Sequence, residues 1–148
     1  MATVTKRMNC SPNDVFDVLR DGWRYTNWVV GTSHMRAVDA AWPAPGSKLH
    51  HCSGVWPIAT RDETIVDRCE DNQRLELTAK GGWLGSAKIV IGIEPDGDGT
   101  VVTLTETPVA GPGEWLHNPL NDALLRRRNV EALERLAAMS ERRTEPAD

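Results

Sequence analysis

The chain has 148 residues, 40% of them apolar and 26% charged, with a formal net charge of −4. That length suits a single domain with a core large enough to fold without staples, and the acidic balance excludes a general nucleic-acid partner. Three widely spaced cysteines, Cys10, Cys52 and Cys69, form no Cys-x-x-Cys pair, which excludes a disulfide scaffold or a zinc knuckle.

The opening MATVTKRMNC carries no apolar signal core, and no run approaches the roughly 18 apolar residues of a membrane span. The expectation is a reduced, cytoplasmic protein. Within that opening, ATVTKRMN alternates and reads as a strand. In CSPNDVFDVLRD, Ser11 is a natural N-cap, Pro12 takes the first helical position and Asp14 lies in the first turn. Val15, Phe16, Val18 and Leu19 make one apolar face, and Gly22 ends the helix. WRYTNW then forms a short helix or tight turn that brings Trp23 near Trp28.

The β-like runs that follow are SHMRAVDAAW, SKLHHCSG, IATRDETIVDRCE, RLELTAK, SAKIVIGIEP and TVVTLTETPV. Turn residues separate them, and PDGDG between the last pair is a strong hairpin signal. The segment NPLNDALLRRRNVEALERLAAMSERR is a long helix, with Asn118 as cap and Pro119 in its first turn. Its apolar stripe is expected to run through Ala123, Val130, Leu133, Leu136 and Ala137.

A sheet of this length twists and curls, and its concave apolar face needs a cover. Only the last helix is long enough to supply it. The space between sheet and helix is then a natural pocket. This gives an α+β fold: a curved seven-stranded antiparallel sheet wrapped around a long C-terminal helix, with one or two short helices after the first strand. Residues 1–142 form one domain in this reading, and 143–148 a disordered tail.

Four stretches, SPNDVFDVLRDGWRYTNWVVGT, WPAPGSKLHHCSGVWP, GTVVTLTETPVAGPG and RRRNVEALERLA, carry a resemblance to the helix-grip fold of the START-like, or SRPBCC, superfamily. The chain is most similar there to actinobacterial polyketide cyclase/dehydrase-like proteins. The resemblance implies a hydrophobic small-molecule ligand in a cavity under the long helix. In some members it implies catalysis without metal or organic cofactor, so no cofactor is expected. The partner is that small molecule, with no nucleic acid and no membrane span, in a monomer or homodimer.

Candidate chemistry follows from the faces of the strands. In SKLHHCSG, Lys48, His50 and Cys52 share one face, and Leu49 and His51 the other. Adjacent histidines therefore diverge, which argues against a metal site; one of His50 and His51 faces the pocket. In TVVTLTETPV, Val102, Leu104 and Glu106 share the apolar face, so Glu106 follows Leu104 inward, where a carboxylate needs a partner. Arg128 and a histidine of SKLHHCSG are candidates for that role; successive arginines at 126–128 point about 100° apart and cannot share one face, so one of them, or Asn129, looks inward.

Six Trp against one Phe and one Tyr is an unusual balance. Trp28, Trp42, Trp56, Trp83 and Trp115 all sit at loop-like joints. They are expected to rim the cavity, with Leu104 and Leu124 adding apolar lining. The candidate catalytic groups are Glu106, His50, His51 and Arg128, and the candidate reaction is general-base chemistry on an enolisable ligand. That enzyme is the alternative; the first reading is a binding protein that uses the same groups to orient a hydrophobic polyketide, lipid-like or isoprenoid cargo.

Overall fold

The computed structural model describes residues 2–30, 32–53, 60–80, 85–110 and 119–142. Strand β1 (Ala2–Met8) leads into helix α1 (Pro12–Arg20), a single 3-10 turn (Gly22–Arg24) and the short helix α2 (Tyr25–Trp28). Six strands follow: β2 (Thr32–Val38), β3 (Lys48–Ser53), β4 (Thr60–Glu70), β5 (Arg74–Lys80), β6 (Ser86–Asp96) and β7 (Gly99–Ala110). Helix α3 (Pro119–Arg142) completes the described chain.

All seven strands form one antiparallel sheet in the order β1-β7-β6-β5-β4-β3-β2. The chain therefore meanders from β2 to β7, and β1 closes onto β7 with Val4 opposite Leu104 and Ala2 opposite Glu106. The β6–β7 hairpin turns at PDGDG as expected. Asp96 pairs with Gly99, and Gly97 takes φ +61°, a left-handed conformation that costs glycine nothing.

Helix α1 starts where its cap chemistry dictates. The Asp14 amide donates to Ser11 Oγ at 3.1 Å, and the Ser11 amide donates back to Asp14 Oδ2 at 3.1 Å. This reciprocal box satisfies donors that a bare helix start would leave open. The face of Val15, Phe16, Val18 and Leu19 is buried, as its spacing predicts.

The inward face of the sheet is set by two-residue periodicity. Val4 and Met8, Val102 and Leu104, Ile91 and Ile93, Leu75 and Leu77, Val66, and Leu49 all lie in one buried cluster. Helix α3 closes that cluster with Ala132, Leu133, Leu136 and Ala137. Here the expected stripe needs correction. Ala123 is exposed and Val130 is 41% exposed, whereas Asn129, Ala132 and Ser140 are buried. The helix is rotated so that Asn129, Leu133, Leu136 and Ser140, at spacings of 3 and 4, lie along the middle of the buried face. Ser140 is accommodated because its hydroxyl donates to the Leu136 carbonyl at 2.7 Å.

Candidate functional site

The C-terminal half of α3 packs on apolar side chains. The inward positions at one end of the sheet are polar, and the N-terminal half of α3 reaches one of them through Arg128. They are Glu106 on β7, Thr64 and Asp62 on β4, and His51 on β3, all buried. Tyr25 enters this cluster from α2, also buried. Register sets the arrangement, with His51 opposite Asp62 and Leu49 opposite Thr64.

Glu106 is 6% exposed, and Arg128 Nη2 donates to its Oε2 at 2.5 Å. The pairing of these two side chains across helix and sheet follows the expectation. The Arg128 side chain is 40% exposed, so the ion pair reaches from solvent into the interior. Among the three successive arginines, Arg126 and Arg127 are exposed.

His51 and His50 separate as strand alternation requires. The His51 Nε2 lies 2.8 Å from Thr64 Oγ1, and its ring stacks on Tyr25 with centroids 5.4 Å apart. Burial holds this imidazole below its ordinary 6.5 despite the nearby Asp62 carboxylate, which keeps the ring neutral. His50 turns to the other face and places Nε2 3.0 Å from Asp39 Oδ1. That contact holds the Asp39 carboxyl below its usual range. His50 thus links β3 to the segment after β2 and is not an interior group.

Tyr25 and Thr64 were not anticipated. Tyr25 Oη lies 3.4 Å from Thr64 Oγ1, so Tyr25, Thr64 and His51 form a short chain of polar contacts. Burial pushes the Tyr25 phenol up to about 12, opposed by its contact with Thr64. The chain contains a single tyrosine, and its six tryptophans do not ionise, so the rise in ultraviolet absorbance on tyrosinate formation reports this group. Tyrosinate is expected to form near pH 12 rather than pH 10. A folded pKa above the unfolded one stabilises the fold below pH 10, and that contribution is lost as pH rises through 12. Absorbance and circular dichroism followed together in a base titration check both statements, and a phenol titrating near pH 10 in the folded protein would contradict them.

Two of the interior polar atoms at this end of the molecule, His51 Nδ1 and Asn129 Nδ2, have no hydrogen-bond partner among the described residues. Both residues are 4% exposed. Among the described residues, no three His, Cys, Asp or Glu side chains gather as metal ligands, and no helix is long and apolar enough to cross a membrane.

The expected apolar lining divides. Leu104 is 3% exposed and sits beside Glu106 on the inward face. Trp28 is 4% exposed and meets Tyr25 edge to face at 5.4 Å. Leu124 is 57% exposed and points away from the sheet, which corrects its placement in the lining. Trp42 is a tie rather than a rim: its Nε1 donates to the Leu19 carbonyl at 3.1 Å, fastening the segment after β2 to α1. Gly22 makes room for this, since a Cβ there would stand 2.6 Å from Leu49 Cδ2 and 3.2 Å from Trp42 Cδ1. Trp56, Trp83 and Trp115 lie outside the described residues, as do Asn118 and residues 143–148.

A curled antiparallel sheet closed by a long helix, with a buried polar cluster on the sheet's inward face, defines a START-like helix-grip protein. Solved structures agree on the fold. TTHA0849 from Thermus thermophilus superposes with a TM-score of 0.69 at 13% identity, over 97% of this chain and 99% of that one. CalU16 from Micromonospora echinospora gives 0.64 at 15%, over 93% of this chain and 74% of that one. Ara h 8.0201 gives 0.68 at 10%, over 93% and 96%. No curated protein matches the chain by sequence. Residues 1–141 match the family described as polyketide cyclase / dehydrase and lipid transport, and the chain belongs to that family.

Proposed function

We propose that this protein encloses a hydrophobic small molecule bearing at least one polar oxygen, between the sheet and the N-terminal half of α3. A polyketide, a lipid-like metabolite or an isoprenoid would meet that description. The observation that carries the reading is the pair of unpartnered buried atoms, His51 Nδ1 and Asn129 Nδ2. A buried polar group left without a hydrogen bond costs about 1–3 kcal/mol. Interiors rarely retain such groups without a purpose. A buried amide N–H without a partner is the donor that a ligand carbonyl or hydroxyl needs. Leu104 and Trp28 supply apolar contact, and Glu106, held by Arg128, fixes orientation.

The test is co-purification. Wild-type protein should carry an oxygen-bearing apolar metabolite detectable by mass spectrometry after denaturation. Asn129→Leu, with unchanged circular dichroism, should lose it. A wild-type protein that retains no small molecule from a metabolite-rich extract would sink the reading.

A second reading is a cofactor-free cyclase or dehydrase, favoured by one observation: His51 Nδ1 has no partner among the described residues while Nε2 lies 2.8 Å from Thr64 Oγ1, so the tautomer with its proton on Nε2 leaves a free lone pair on Nδ1. His51 or Glu106 would take a proton from carbon next to the ligand carbonyl while Asn129 holds the oxygen. Glu106→Gln and His51→Gln separate the readings. Retained ligand with turnover lost in either variant marks the enzyme. Retained ligand with no turnover in wild type marks the carrier.

A further inference from the structure

A separate groove of about 700 Å³ opens on the outer side of the molecule, between α2 with its preceding turn and the C-terminal half of α3. Its lining is Arg24, Asn27, Arg135, Ala138, Met139 and Arg142. On α3 the spacing i, i+3, i+4, i+7 puts Arg135, Ala138, Met139 and Arg142 on one face, and α2 brings Arg24 and Asn27 opposite. We propose that this groove is a binding site for a phosphoryl group, gripped by Arg24, Arg135 and Arg142.

The charge distribution supports this. The chain as a whole is acidic at −4, yet three arginines line one small groove. Their internal partners are weak holders. Arg24 Nε stands 3.4 Å from Asp21, and Arg135 is paired with Glu131 at 2.6 Å, both on the surface with the acids 45% and 52% exposed. Surface pairs of this kind contribute only about 0–1 kcal/mol, so a dianion that engages several guanidiniums at once outcompetes them. Arg142 has no ion-pair partner among the described residues. Its place in the last turn complements the helix dipole, but that does not account for Arg24 and Arg135 lining the same groove.

The floor narrows the ligand class. Ala138 leaves room, and Met139 gives a soft apolar surface beside the charges. A phosphoryl group attached to an apolar or planar body fits both features. Two sources share that chemistry: a soluble phosphorylated metabolite and a phospholipid headgroup.

The site is distinct from the helix–sheet interior, so it stands or falls independently of the ligand reading above. Inorganic pyrophosphate titrated into 15N-labelled protein should shift the Nε–H signals of Arg24, Arg135 and Arg142 and the side-chain amide of Asn27 in a saturable way. Combined Arg24→Gln and Arg142→Gln should weaken that binding at least about tenfold, roughly the loss of one charge-assisted hydrogen bond. Arg127→Gln, an exposed arginine outside the groove, should leave it unchanged. Sedimentation with phosphatidylglycerol vesicles, against phosphatidylcholine controls, forms the second arm. Saturable pyrophosphate binding assigns a soluble phosphate source. Binding to phosphatidylglycerol alone, lost in the double variant, assigns the lipid headgroup. If neither probe binds, or if shifts spread equally over Arg61, Arg126 and Arg127, the proposal is overturned.

Discussion

Leu136→Ala is expected to lower the free energy of unfolding by about 2–5 kcal/mol, the range for truncating a buried leucine. Leu136 has no exposed surface and lies mid-way along the buried face of α3, between Leu133 and Ser140. Truncation there removes packing at the contact by which helix and sheet hold each other. A rigid interior does not collapse fully into the gap, so a cavity term adds to the lost burial. Typical domains are stable by only about 5–15 kcal/mol, so the variant should show a much lower urea midpoint at unchanged slope. Leu124→Ala, on the outer face of the same helix, should stay within about 0.5 kcal/mol. Equal effects from the two variants would mean that the rotation of α3 described here is wrong.

The second large effect is expected at the ion pair. Arg128→Met removes the cation and leaves the buried Glu106 carboxylate without its partner. Breaking a fully buried pair costs about 3–5 kcal/mol. Arg128 is 40% exposed, so water moderates the loss, and about 1–3 kcal/mol is the expected figure. Adding Glu106→Gln to the same protein should recover most of it, because no charge is then stranded. A double-mutant cycle by chemical denaturation measures the coupling directly. Additive single effects would show that the two side chains do not depend on each other.

These residues also mark where the sequence was readable. Strict alternation carries orientation, so Val102, Leu104 and Glu106 could be placed inward and His50 separated from His51 before any coordinates. Ser11 and Asp14 announce the start of α1, and PDGDG announces the last hairpin, because cap and turn chemistry is local. Helix α3 was harder. It has apolar residues on several faces, including exposed Leu120, Leu124 and Val130, and its buried face contains Asn129 and Ser140. Its rotation is decided by the partner surface, which no local pattern encodes. The same holds for Tyr25 and Thr64. Tyr25 sits in a four-residue helix and Thr64 is one threonine in a long strand, and only tertiary packing brings both to His51. Trp42 misled for the opposite reason. Its loop position resembles a rim, but its indole N–H found a carbonyl at the end of α1.

The placement of β1 has a consequence for biogenesis. This strand is made before the other six, yet its hydrogen-bonded neighbour is β7, with Ala2 opposite Glu106, and the helix above it begins at Pro119. As the nascent chain leaves the ribosome, β1 has no native neighbour in the sheet until most of the polypeptide has emerged. Pairings so distant along the chain close late and slowly. Cotranslational assembly would therefore begin with the meander from β2 onward, and the strand that emerges ahead of the others would be among the last to dock.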